Sequence, residues 1–182
     1  MAFHWAIEAV GSALHRLVMA LLFRLTTRRQ VLGFDLCDVT LGHDGALLFE
    51  RVGAALEMIR QYDPVRFRRM QREVAWIGVT NSPAYAGQYW PGPQAVVLDA
   101  SFVRDFVVES IAMVIVHEAT HARIRQTGVR VKGREGRIEH TCVEQEIIFA
   151  RRIPGTERLI QGAREKLASR YWELKDVRLT ST

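Results

Sequence analysis

Apolar residues recur along the chain at two spacings, and the changes between them divide it into blocks. From Ala46 to Gln61, the residues Leu48, Val52, Ala55, Leu56 and Ile59 follow the three-to-four-residue step of one helix face, which predicts an amphipathic helix. Asp63-Pro64 ends it and starts a second helix, with Asp63 as the cap and Pro64 in the first helical position. Arg66, Arg68, Arg69 and Arg72 on this second helix read as a solvated face. Upstream, Leu32, Phe34 and Leu36 alternate within residues 31–41 and predict a strand entering a turn at 42–45. Val74–Thr80 and Gln94–Asp99 read as two more strands. The Pro- and Gly-rich stretch 81–93 between them, with Tyr85, Tyr89 and Trp90, is expected to be a long loop. A long apolar helix is then expected from Ala100 to about Gln126, a loop from Thr127 to Gly136, and a helix from Arg137 to Ile153. Pro154-Gly155 breaks the chain, and Thr156 opens a final amphipathic helix to about Leu174. Helices on either side of a small sheet predict an α+β fold.

The stretch from Trp5 to Phe23 is mostly apolar and needs a separate decision. A signal peptide begins with positive charge, whereas here Arg24, Arg28 and Arg29 follow the apolar run. A spanning helix would put His15 and Arg16 in hydrocarbon, at a cost of about 2.5–3.5 kcal/mol for the arginine alone. Glu8, Ser12, His15 and Arg16 instead form one helical stripe, with Leu14, Leu17, Val18, Leu21 and Leu22 lining the remainder. Residues 1–30 are therefore expected to be an amphipathic helix packed on a domain of residues 31–182. Contact with a membrane surface through residues 5–23 is the competing reading.

A chain of 182 residues, 48% hydrophobic and 25% charged, suits one globular domain with a real core. Its two cysteines, Cys37 and Cys142, lie far apart with no C-x-x-C spacing. That excludes a disulfide framework and a cysteine-only zinc site, and favours a reducing, cytoplasmic setting, peripheral to the membrane if the first helix meets lipid. The net charge of +5 is spread out, and no basic block is interleaved with aromatics, so no nucleic-acid partner is expected.

One motif carries chemistry. His117-Glu118-Ala119-Thr120-His121 is H-E-x-x-H, in which two histidines one helical turn apart reach a single tetrahedral ion. Glu118 then stands where it takes a proton from a zinc-bound water as general base. With the histidines and glutamates this chain holds, chance would produce the pattern in about one shuffled chain in seventy. The bland reading, hydrogen-bonded core histidines with Glu118 as partner, leaves three polar groups in an apolar helix in need of compensation. A zinc site needs a third protein ligand, and no histidine occurs between Ala122 and Glu139. Glu139 and Glu146 share one face of the following helix with Cys142 or Val143 and Ala150, whereas Glu144 points elsewhere. The small Cys142 three residues after Glu139 allows close approach and favours Glu139, with Glu146 still open. The losing glutamate becomes a partner of a ligand or joins a salt bridge with Arg151 or Arg152. Cys142 reads as a small buried hydrophobe behind the site, since nothing nearby in sequence activates it. His140, Tyr85 and Tyr89 are candidate donors to a transition-state oxyanion.

From about Trp76 to Pro154 the chain resembles the gluzincin-like zinc metallopeptidases, which carry H-E-x-x-H on one helix and a glutamate on a following one. The resemblance implies a zincin-like fold, a small sheet packed on the zinc-bearing helix and the glutamate helix. It implies Zn2+ held by His117, His121 and Glu139, and hydrolysis of peptide bonds with Glu118 as base. Glu139 lies in Glu-x-x-Cys, close to the Glu-x-x-Ala around the family's third ligand. Four residues later the family commonly has Asp or Asn where this chain has Val143, so the acceptor behind a zinc histidine must come from elsewhere. The family's edge strand pairs with extended substrate, a role for Val79–Ser82 or Ala95–Val97 here. The partner implied is a peptide or protein substrate; the rival reading is a catalytically silent binding protein or a membrane-associated regulator of the same fold.

Overall fold

The computed structural model describes residues 26–40, 45–81, 85–129, 131 and 133–169. Residues 1–25, and with them the membrane contact expected of 5–23, lie outside the described residues, as do residues 170–174 of the last helix. Five strands form one mixed sheet: β1 (Thr27–Val31), β2 (Phe34–Asp38), β3 (Trp76–Thr80), β4 (Gly87–Trp90) and β5 (Ala95–Asp99), in the order β1-β2-β3-β5-β4. β2, β3 and β5 run parallel, and β1 and β4 are the antiparallel edges among the described residues. Six helices accompany them among the described residues: α1 (Gly45–Tyr62), α2 (Pro64–Glu73), α3 (Ala100–Asp105), α4 (Val108–Gln126), α5 (Glu135–Ala150) and α6 (Glu157–Ser169). The fold is α+β. No described helix is long and apolar enough to cross a membrane.

The core forms where α1 and α4 pack on each other and on the sheet, α1 against β1 and β2, α4 against β4 and β5. Leu48, Val52, Ala55, Leu56 and Ile59 of α1 are fully buried, as their spacing predicts. Asp63 caps α2 by accepting the Arg66 backbone N–H at 3.1 Å, with Pro64 at the first helical position. β5 is buried along its whole length, in keeping with an apolar run flanked by strands on both sides.

Four expectations change. Thr27–Gln30, placed with the amino-terminal helix, belongs to a strand, and residues 31–41 are not one strand but part of a hairpin. Leu32 and Gly33 form its two-residue turn with φ of 52° and 84°, and the Gln71 side chain donates to the Leu32 carbonyl. Leu-Gly is a weaker turn signal than Asn-Gly, since only the glycine reaches positive φ without cost. The helix expected over 100–126 breaks at Phe106-Val107, where Val107 is extended. Arg51 of α1 donates to the Val103 and Phe106 carbonyls and so satisfies the end of α3. The loop expected over 81–93 contains β4, whose residues pair with β5 from Gly87↔Leu98 to Trp90↔Ala95. Finally, Arg66 leaves the solvated face of α2: it is buried, 2.9 Å from Asp63 and 2.8 Å from Gln145.

Candidate metal centre

The first half of α4 is apolar and buried, with Ile111, Ala112, Met113, Ile115 and Val116 inside. The next turn stays inside the protein but changes chemistry, because His117, Glu118 and Thr120 are buried too. Such groups persist in a core only with partners, and each has one. Thr120 donates its hydroxyl proton to the Val116 carbonyl at 2.8 Å. His117 Nδ1 donates to Glu146 Oε1 at 2.5 Å. Glu118 accepts the backbone N–H of Tyr89, which comes from β4.

The opposite nitrogen of His117 faces the remaining donors. His117 Nε2 and His121 Nε2 are 3.2 Å apart. The Glu139 carboxylate lies across both, with Oε2 3.5 Å from His117 Nε2 and Oε1 3.4 Å from His121 Nε2. Atoms held about 2.0–2.1 Å from one tetrahedral zinc ion stand about 3.3–3.4 Å from each other. The two imidazole nitrogens are close to that spacing, and each stands near it from one oxygen of the Glu139 carboxylate, so these residues suit a zinc ion. Three carboxylates, Glu118, Glu139 and Glu146, converge on two imidazoles here. The Cys142 sulfur is also near, within 4.8 Å of the ligating nitrogens of His117 and His121.

Protonation follows from burial and from these contacts. Burial alone would lower His117, but its bonds to Glu139 and Glu146 and the charge of Glu118 push it up to about 10. Burial works against an ionised Glu139, and the His117 and His121 contacts override it, holding the carboxyl well below the usual range. Burial dominates at Glu118, whose carboxyl is raised despite the two imidazoles and the Tyr89 N–H. Burial and the neighbouring carboxylates raise the Cys142 thiol.

The structure brings His117, Glu118, His121 and Glu139 together and places Glu146 behind His117 as its hydrogen-bond acceptor. The acceptor that Val143 lacks thus comes from seven residues after Glu139. Glu144 is exposed, 3.5 Å from His140 on the same helix, and neither lines the site. Tyr85 and Tyr89 both line a cavity of about 550 Å³ that opens over Glu118, Tyr85 exposed and Tyr89 buried.

β4 was missed in the sequence, and it forms one wall of this cavity through Gly87, Gln88 and Tyr89. The two segments expected at a cleft edge, in β3 and β5, are instead paired on both sides, so among the described residues β4 is the edge strand beside the site. Gly87 explains how it comes so close to α4. A Cβ there would stand 2.5 Å from Val114 Cγ1 and 3.3 Å from Glu118 Cγ. The glycine before Gln88-Tyr89-Trp90 was the only available sign of this approach.

Compared with protein-family models, curated proteins and solved structures, the chain finds no match in any of the three. The candidate site therefore stands on its own geometry.

Proposed function

We propose that the chain is a zincin-like metallopeptidase, with His117, His121 and Glu139 holding a zinc ion and Glu118 acting as general base. The observation that carries this reading is the convergence of those three donors at 3.2–3.5 Å beside a buried glutamate in an open cavity. Zinc bound there supplies Lewis acidity, lowering the pKa of water and polarising a substrate carbonyl.

The chain's own residues supply the rest. Glu118, raised by burial, takes a proton from the attacking water as its oxygen bonds to the carbonyl carbon. The same carboxyl returns the proton to the amine as the C–N bond breaks. The Tyr89 N–H fixes the position of Glu118, and Glu146 fixes the ring and tautomer of His117. Among the described residues β4 has one side with no neighbouring strand, suited to an extended peptide or protein segment laid along it. The free, buried thiols of Cys37 and Cys142 support a reducing, cytoplasmic setting.

Incubation of the zinc-loaded chain with a peptide library, read by mass spectrometry, tests this reading. Cleavage is expected, falling about 10²–10⁴-fold in Glu118→Gln. A zinc-loaded chain that cleaves nothing, or a Glu118→Gln variant that cleaves equally well, contradicts it and leaves a silent binding protein.

A further inference from the structure

A second cavity, of about 300 Å³, lies between α2, α4 and α5. It meets α4 through Val116, Ala119, Thr120 and Arg123, a different face from the one bearing His117 and His121. Its charged lining is Arg66, Arg69 and Glu73 from α2 and Arg123 from α4, three guanidiniums against one carboxylate. Arg66 is held by Asp63 through its Nε and by Gln145 through one terminal nitrogen. Glu73 is reached by a single Arg123 nitrogen at 3.4 Å, which leaves the rest of that guanidinium fork uncommitted. Arg69 is half-buried and has no hydrogen bond or ion pair among the described residues. Burial and the nearby Arg123 hold it below its ordinary range. Gln145, also lining the cavity, turns its carbonyl oxygen to Arg66, and its amide N–H groups remain as donors. Like charges gathered around a cavity lined with donors call for an oxyanion to bridge them.

We propose that this cavity binds a phosphate group, gripped by Arg69 and Arg123 with Gln145 as a further donor. Paired guanidinium forks match the tetrahedral oxygens bidentately, and their two positive charges suit a dianion. The cavity is larger than the anion, with room for the organic part of a small phosphate ester. This inference does not depend on the peptidase reading.

Thermal unfolding of the full chain, followed at constant ionic strength, provides the test. The titrants are inorganic phosphate and, separately, a sugar phosphate, with chloride as the reference. A saturable rise in Tm is expected, with at least about tenfold weaker affinity in Arg69→Gln and in Arg123→Gln and none lost in the exposed Arg68→Gln. Tighter binding of the sugar phosphate identifies an ester as the occupant, and equal binding identifies the free ion. Far-UV circular dichroism establishes that each variant is folded. The proposal is overturned if neither titrant raises Tm saturably, or if Arg69→Gln and Arg123→Gln bind like the parent. Binding that survives in those variants but vanishes in His117→Ala belongs to the metal centre and also overturns it.

Discussion

α1 and α4 are the two longest described helices, 18 and 19 residues, and they pack against each other, yet they bury different kinds of atoms. α1 turns an entirely apolar face inward, Leu48, Phe49, Val52, Ala55, Leu56 and Ile59. Each large side chain on it contributes about 1.5–3 kcal/mol by leaving water. α4 begins the same way and then buries His117, Glu118 and Thr120, groups that would each cost about 1–3 kcal/mol without partners. Only Thr120 is satisfied within its own helix. His117 depends on Glu139 and Glu146 of α5, and Glu118 on a backbone N–H of β4. One helix stabilises the fold through its own sequence; the other holds costly groups that neighbouring elements must offset, as a functional site does.

Substitutions in the two helices should separate accordingly. The largest effect on stability is expected from Ile59→Ala in α1, about 2–5 kcal/mol in urea unfolding, with metal affinity of the folded chain unchanged. A loss of metal affinity in that variant would erase the distinction between the helices. Glu146→Gln is the complementary change. It leaves the core packing intact but weakens the acceptor behind His117, and a competition titration with a chelator should show about 10–100-fold weaker zinc binding.

The smallest effect belongs at the junction of α1 and α2. Burial opposes ionisation of Asp63, but Arg66 and Arg152 prevail and hold its carboxyl below the ordinary value. A depressed folded-state pKa contributes stability above the unfolded value and loses it as pH falls through the folded one. An asparagine at this position would keep the cap and lose the charge. Asp63→Asn should therefore cost about 0.5–1.5 kcal/mol at pH 7, and the difference from the parent should shrink as the pH falls below the ordinary carboxylate range. A difference that stays constant through that fall would show that the ion pairs contribute nothing.

The same contrast explains how much of the molecule was legible beforehand. α1, the Asp63-Pro64 junction, β3 and β5 follow from local periodicity and turn chemistry, because their burial patterns repeat along single segments. His117, Glu118 and His121 were visible because the spacing of a metal-binding pair is local to one helix. What depends on distant partners was not visible. β4 is a short segment that begins at a glycine and stops before a proline, and it becomes a strand only by pairing with β5. Arg66 is buried because Gln145, 79 residues away, reaches its guanidinium. The division of labour between Glu139 and Glu146 needed the direction of the His117 ring, with Nε2 towards one and Nδ1 towards the other.

The most direct test of the central claim is elemental analysis of the purified full chain after zinc has been offered and the excess removed. About one zinc per chain is expected, lost in His117→Ala and in His121→Ala while both variants remain folded. A parent chain that retains no metal would contradict the account, returning the two histidines to the core as hydrogen-bonded residues.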